Sequence, residues 1–320
     1  MKNEIISYYL KCFTNLKRAR NNGGAPHKPI LLLSLISLFN QNLFSKREIK
    51  ITPEFVAYFN SNWNRLVETN HQSNFAMPFY HMQSEPFWKL IPNIGCEKWI
   101  ASKSSMRSFK NLTTAVSYAI IDKELVELLL NPESRDILKI ALLEKYFPKN
   151  TKDYSSDNDD LPSSSLLHED SESYRRKILG LKNVLDENKF QEEVFVRSGI
   201  FKREIPKIYN NTCAISNLRI DSLSTASMID ACHIIPFSEN YDDTISNGIA
   251  LCPNLHRAFD RGLIAISNDY KVIINKNFIE SGTSPYSLKQ FENNTIRLPE
   301  SIECYPSLNN FAIHRQRFNF

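Results

Sequence analysis

The sequence predicts an α+β chain: a helix-rich N-terminal domain, a flexible linker, and a C-terminal domain built on two strands and a short helix. Three observations predict it. Over residues 1–150, apolar residues recur mostly at helical spacing, interrupted by short aromatic-rich segments. Residues 151–173, TKDYSSDNDDLPSSSLLHEDSES, are acidic, Ser-rich and nearly free of aromatics. Such a stretch does not bury enough apolar area to offset its ordering entropy. Residues 230–262, DACHIIPFSENYDDTISNGIALCPNLHRAFDRG, read as strand, turn, strand and helix. At 320 residues there is room for two domains of ordinary size, so the expected boundaries are 1–150, 151–173 and 174–320.

The elements follow in order. Ile5, Ile6, Tyr9, Leu10, Phe13 and Leu16 have helical spacing, and NNGGAPHK breaks that helix. Pro29 sits where a first helical residue belongs and opens PILLLSLISLFNQ. That helix is apolar nearly all round, which predicts a central place in the core. Thr52 is placed to cap a helix beginning at Pro53. FAMPFYHM and PFWKLI read as strands or ordered loops, and Glu124–Leu130 and Arg135–Tyr146 as closing helices. In the second half, Tyr174–Leu185 and Phe190–Arg203 read as helices. From Asp269 the tail alternates short apolar runs with turns.

Composition narrows the class. With 42% hydrophobic and 23% charged residues the chain reads as soluble and globular. The longest apolar run, Ile30–Phe39, is interrupted by serines and is too short for a membrane span. MKNEIISYYLKCF lacks a signal peptide's apolar core. Six scattered cysteines without a CxxC pair suggest reduced thiols in the cytoplasm, and leave a paired-thiolate zinc knuckle without ligands. The net charge of +4 divides into +8 over residues 1–150, −6 over 151–173 and +2 over 174–320. A basic first half suits a phosphate backbone as partner, and a merely soluble basic surface equally well.

The chemistry concentrates in residues 230–262. His233, Asn247 and His256 follow one another with thirteen and then eight residues between them. Hydrolysis of a phosphodiester needs an activated water and neutralisation of charge on the phosphoryl and leaving oxygens. His233, in the β-branched stretch MIDACHIIP, is the candidate base, since histidine titrates near neutrality. Asn247-Gly248 is a tight-turn signal, and the Asn side chain can hold the His233 strand in register. Pro253 opens a short helix that Gly262 ends. On it His256 and Asp260 lie four apart, on one face, suited to one divalent cation. Asp230, three residues before His233, is a candidate third ligand.

AISN, ACHIIPFSE, SNGIALC and LHRAFDRGLIAI, within about residues 205–270, resemble the HNH nuclease domains of modification-dependent restriction endonucleases. The resemblance implies His233 as general base, Asn247 as loop-orienting residue, His256 as metal ligand and Asp260 as a further ligand on the helix. Mg²⁺ or Mn²⁺ is the implied cofactor. Cys232 stands where relatives carry Asp or His.

The first half offers three features for recognising DNA. RARNNGGAPHKP places Arg20, two glycines, His27 and Lys28 before the buried helix, where backbone and charge can approach phosphate. FAMPFYHMQSEPFWKL gathers Pro78, Phe79, Tyr80, His81 and Trp88 as an apolar pocket, with core packing as the competing reading. KSSMRSFK offers Lys103, Arg107 and Lys110 as a phosphate-contacting loop or an ordinary surface loop. PHKPILLLSLISLF, and MPFYHM followed by PFWKL, resemble the sulfur-binding domain of phosphorothioate-dependent restriction endonucleases over most of residues 10–110. That resemblance implies Pro78 in a sulfur pocket beside His27 and Lys28, with Arg20 and Arg107 toward bases or phosphates. Met77 stands where relatives often have Tyr.

The expectation is a modification-dependent endonuclease of phosphorothioated double-stranded DNA, cytoplasmic, with a C2 homodimer as the default assembly for double-strand cleavage. Two other readings stand beside it: an HNH endonuclease reading a methylated base, and a DNA-binding regulator with an inactive site.

Overall fold

The computed structural model describes residues 2–19, 23–101, 105–149, 154, 167–220, 227–281 and 284–320. Most of the expected linker 151–173 lies outside the described residues, as do Arg20 and Lys103. The chain divides into two compact units. Unit 1 is Met1–Pro162 with Leu185–Val196, and unit 2 is Ser163–Val184 with Arg197–Phe320. Residues 185–196, placed by the sequence in the second domain, therefore belong to the first unit.

In unit 1, α1 (Lys2–Thr14) precedes α2 (His27–Asn40), whose residues Lys28–Phe39 are all buried. The central, all-round apolar helix is as the sequence predicts, but it starts two residues before Pro29. Pro29 is tolerated there because first-turn amides lack intrahelical partners anyway. β1 (Glu48–Ile49) leads to α3 (Pro53–Leu66), capped by the Thr52 hydroxyl accepting from Phe55 N at 3.2 Å. α4 (Ala76–His81) contains MPFYHM, expected as strand or loop. The helix wins because Pro78 falls in its first turn, and Asn74 Oδ1 accepts the otherwise orphaned Met77 N–H at 2.9 Å. β2 (Trp88–Pro92), α5 (Glu97–Ile100), α6 (Phe109–Ala115) and β3 (Val116–Ile121) follow. β3 lies between β1 and β2 in an antiparallel sheet, with Trp88 opposite Ile121 and Glu48 opposite Ile120. α7 (Lys123–Leu130) and α8 (Pro132–Tyr146) close the unit, Asn131 capping α8 through Ser134 N at 2.9 Å. The core is a run of aromatics, Phe55, Phe59, Phe75, Phe79 and Trp88, edge-to-face except for the stacked Phe75–Phe79 pair.

α9 (Ser171–Val184) belongs to unit 2, and α10 (Glu187–Ile208) contributes its residues from Arg197 onward. β4 (Asp230–His233) pairs antiparallel with β5 (Gly248–Leu251), from Asp230 opposite Leu251 to His233 opposite Gly248. Between them lies the short α11 (Phe237–Asn240) and a one-turn 3₁₀ segment ending at Asn247. Gly248 itself is extended, at φ −117°, so Asn247-Gly248 ends a long connection rather than forming a two-residue hairpin turn. α12 (Pro253–Asp260) follows β5 directly and completes the ββα unit. Gly262, at φ +64°, ends α12 in the left-handed conformation expected of a C-terminal glycine. β6 (Ile264–Ile266) pairs with β7 (Val272–Ile274), and α13 (Leu308–Arg317) packs on β6. The sequence predicts only short apolar runs and turns in that tail, so α13 is an addition. Ser307 caps α13 through Asn310 N at 3.4 Å, and Phe311 anchors it in the core.

Candidate active site

The β4–β5 pairing and α12 bring the motif of unit 2 to one cleft. His233 is the last residue of β4, next to the long connection. Its imidazole stacks on Phe201 of α10, with ring centroids 4.0 Å apart and planes 6° from parallel. Its Nε2 lies 2.7 Å from Oδ1 of Asp243, a wholly buried carboxylate. Asn247 is fully buried and holds the connection by its side chain. Oδ1 accepts from Ile235 N at 2.9 Å and from Asn310 Nδ2 at 3.2 Å. Nδ2 donates to the carbonyls of Ile235 and Asp242, each at 2.9 Å. The loop-holding role expected for Asn247 thus has four hydrogen bonds, two of them to the residue that follows Ile234 out of β4.

His256 projects from α12 between two carboxylates. Its Nε2 is 3.4 Å from Asp260 Oδ2, the i,i+4 partner foreseen from the spacing. Its Nδ1 is 3.2 Å from Asp230 Oδ2. Asp230, expected as a third ligand around a shared cation, sits on the nitrogen opposite the one that faces Asp260. The third donor beside Nε2 is Cys232. Its Sγ is 3.8 Å from Asp260 Oδ1, and one donor atom each from Cys232, His256 and Asp260 fall within 4.8 Å of one another. Cys232 is fully buried, and burial pushes its thiol well above the usual range. Sequence spacing did not single it out, although strand alternation puts Asp230 and Cys232 on the same side of β4, opposite to His233.

These donors fit a divalent cation. Nitrogen, oxygen and sulfur atoms bound to one tetrahedral zinc-sized ion stand about 3.3–3.7 Å apart. The 3.4 Å from His256 Nε2 to Asp260 Oδ2 falls in that range, and the 3.8 Å from Cys232 Sγ to Asp260 Oδ1 lies just beyond it. A carboxylate on the other ring nitrogen, as Asp230 is on His256, is the usual means of orienting a metal-bound histidine.

The cleft has a volume of about 230 Å³ and is lined by His233, His256 and Asp260 together with Phe237, Arg317 and Phe318. His314 also borders it, stacked on Phe259 at 3.8 Å with Nε2 donating to the Phe259 carbonyl at 3.0 Å. Burial lowers its pKa from 6.5 to about 4, so this imidazole is neutral at pH 7. Both Arg317 and His314 come from α13, the helix that sequence periodicity did not show.

Unit 1 has a second concave site of about 270 Å³. His27, Lys28 and Pro78, named from the sequence, do meet there, with Lys17, Arg18, Met77 and His81. Lys28 is not a free cation: its buried ammonium pairs with Glu85 and donates to Ser84 Oγ at 2.7 Å. His27 packs 4.6 Å from Trp63, and its Nε2 meets the Gln72 carbonyl at 2.9 Å. Burial lowers its pKa to about 4, so it too is neutral. Two of the expected contacts lie elsewhere. Phe79 is wholly enclosed by Phe55, Phe75 and Trp88, because its turn of α4 faces the core. It supports Pro78 from behind and has no surface to offer. Arg107 is exposed and does not line the site. Arg18, the first residue of RARNNGGAPHKP, and its neighbour Lys17 bring the cationic side chains instead. Arg18 lies over the Tyr146 ring at 4.3 Å and donates to the Ala25 carbonyl at 3.2 Å.

Residues 213–267 match the family model described as HNH endonuclease, so the chain carries an HNH endonuclease domain. That span contains Asp230, Cys232, His233, Asp243, Asn247, His256 and Asp260. Among solved structures, the "Modification dependent TagI restriction endonuclease" is similar at 21% identity and a TM-score of 0.31. The match covers 39% of this chain and 39% of that one, well under half of its length. No curated protein matches the chain.

Proposed function

We propose that this protein is a modification-dependent DNA endonuclease. Unit 2 hydrolyses phosphodiester bonds, and unit 1 selects phosphorothioated duplex DNA. The observation that carries the hydrolytic part is the meeting, in one cleft, of a histidine fixed at the end of β4 with His256 and Asp260, which the buried Cys232 joins from beneath as a third donor. His233 takes the proton of the attacking water. Cys232, His256 and Asp260 would hold a divalent cation, with Asp230 orienting His256. When bound, that cation neutralises charge on the phosphoryl group and the leaving oxygen. Asn247 keeps the His233 strand and the connection in one arrangement. A thiolate among the ligands favours zinc-like metals over Mg²⁺, while Mn²⁺ remains compatible with the histidine and carboxylate donors.

The sulfur-reading part is supported by the site in unit 1. Its lining is mostly hydrocarbon, the Pro78 ring included, His27 is neutral and Lys28 is paired. Such a surface suits sulfur, which is larger and more weakly hydrated than oxygen. Lys17 and Arg18 supply charge for the phosphodiester. Acting on DNA in the cytoplasm, as a C2 dimer, completes the proposal.

The test is a cleavage assay with Mn²⁺, Co²⁺, Zn²⁺ or Mg²⁺ on three duplexes of one sequence: unmodified, carrying one stereodefined phosphorothioate, and methylated. Cutting of the sulfur-bearing duplex alone supports both parts. Equal cutting of all three keeps the nuclease and sinks the sulfur reader, and selective cutting of the methylated duplex favours a base reader. No cutting with any metal, while DNA is still bound, favours a DNA-binding regulator.

A further inference from the structure

We infer that Asp243 is the positioning residue of the reaction: it holds His233 with its proton on Nε2 and so makes Nδ1 the nitrogen that accepts the proton from water. The inference rests on the hydrolytic reading given above. Two aspartates stand side by side in the connection between β4 and β5, and their side chains do different things. Asp242 Oδ1 accepts from Thr244 N at 2.8 Å, which shapes the turn. Asp243 instead reaches back 10 positions along the chain, to His233 Nε2 at 2.7 Å. Its other oxygen is 3.4 Å from Ser198 Oγ of α10.

Burial makes this contact more than a loop tie. Asp243 is fully enclosed, and a buried carboxylate needs a donor or a cation beside it. Its side chain meets a hydroxyl, that of Ser198, and the imidazole. An ionised carboxylate only accepts hydrogen bonds, so the proton of neutral His233 lies on Nε2. Stacking on Phe201 fixes the plane of the ring, and the contact with Asp243 keeps Nε2 toward the carboxylate. Nδ1 then carries the lone pair, and no described residue takes a hydrogen bond to it.

The step balances. The water oxygen bonds to phosphorus as the phosphorus–ester oxygen bond breaks, and the electron pair leaves with the ester oxygen, which takes a proton from solvent. The proton lost by water goes to Nδ1. The imidazolium so formed is stabilised by the Asp243 carboxylate already in place, with no rearrangement at the moment of reaction.

Asp243→Asn separates this role from a structural one, because an amide can donate to Nε2 and trap the opposite tautomer, as in other buried carboxylate–histidine pairs. The readouts are kcat and KM on plasmid DNA, and the ¹⁵N spectrum of the His233 ring in metal-free protein, assigned by difference from His233→Gln. The expected result is an Nε2–H tautomer in the wild type, a shift toward Nδ1–H in Asp243→Asn, a kcat lower by about 10²–10⁴-fold, and a KM within about threefold. A wild-type His233 protonated on Nδ1 overturns the inference, even where the Asn variant fails to fold. So does a folded Asn variant with wild-type kcat, and in that case the nuclease reading stands. A wild type that cuts no DNA with any metal sinks the nuclease reading, and the role of Asp243 with it.

Discussion

At the scale of single residues, the site is defined by which nitrogen or oxygen faces which partner. His256 presents Nε2 to Asp260 and Nδ1 to Asp230, so two carboxylates near one imidazole take different parts. The thiol of Cys232 gives this trio a spectroscopic handle. Co²⁺ added to metal-free protein should produce a thiolate-to-cobalt charge-transfer band, lost in Cys232→Ser. Asp230→Asn should keep the band and weaken Co²⁺ binding about 10–100-fold, as an orienting partner does. Absence of the band in the wild type would remove Cys232 from the ligand set. His314 supplies a second prediction. Its folded pKa of about 4 lies below the ordinary 6.5, so the native state disfavours the proton. Stability from keeping it neutral is fully present above pH 6.5 and is lost as pH falls toward 4, by about 3 kcal/mol at the low end. Chemical denaturation at a series of pH values should show that loss in the wild type. It should be smaller in His314→Gln, and an equal loss in both proteins would assign the acid sensitivity to other groups.

Elements matter here through close approach. Gly248 opens β5 opposite His233, and a side chain at this position would run into Ile205 and press on Phe201 of α10. The glycine lets α10 lie directly on β5, the partner of the strand that carries the base, with Phe201 against the imidazole. Gly248→Ala should therefore destabilise the protein by about 1–3 kcal/mol, seen as a lower Tm. It should also lower kcat at temperatures where the variant is folded, since Phe201 is displaced from His233. An unchanged Tm and kcat would show that α10 yields freely. Local chemistry explains why the ββα segment was legible in advance. Pro253, the i,i+4 pair and Gly262 are signals whose meaning depends on neighbours within a turn or two. Asn247-Gly248 reads as a tight turn in sequence but ends a long connection, whose conformation is held by Asn247 across it and by Asn310, remote in sequence.

For the whole molecule, the two units carry different chemistry. The net +8 of residues 1–150 lies with the unit that has the apolar site, and the HNH match lies in the other. All six cysteines are free, and no described helix is long and apolar enough to cross a membrane. Arg18 lines the site of unit 1 and is not part of the hydrolytic cleft. Arg18→Ala should weaken DNA binding and reduce the salt dependence of affinity by about one phosphate contact, with cleavage by saturating enzyme little changed. Binding at two salt concentrations and cleavage at saturation check this. An unaltered salt slope would take Arg18 out of the DNA contacts.

By itself the sequence determined the central buried helix, the Thr52 cap and the strand–strand–helix order that carries His233, Asn247, His256 and Asp260. Each rests on periodicity, capping or spacing within a few turns. Only the tertiary structure decided that Cys232 joins His256 and Asp260, that Asp230 takes the other nitrogen, that Asp243 meets His233, and that Lys28 is paired while Phe79 is core. The reason is physical. Whether a side chain is a ligand, an orienting group or a packed ring depends on which atoms from distant segments surround it, and burial and partner, not residue type, set its charge and its direction.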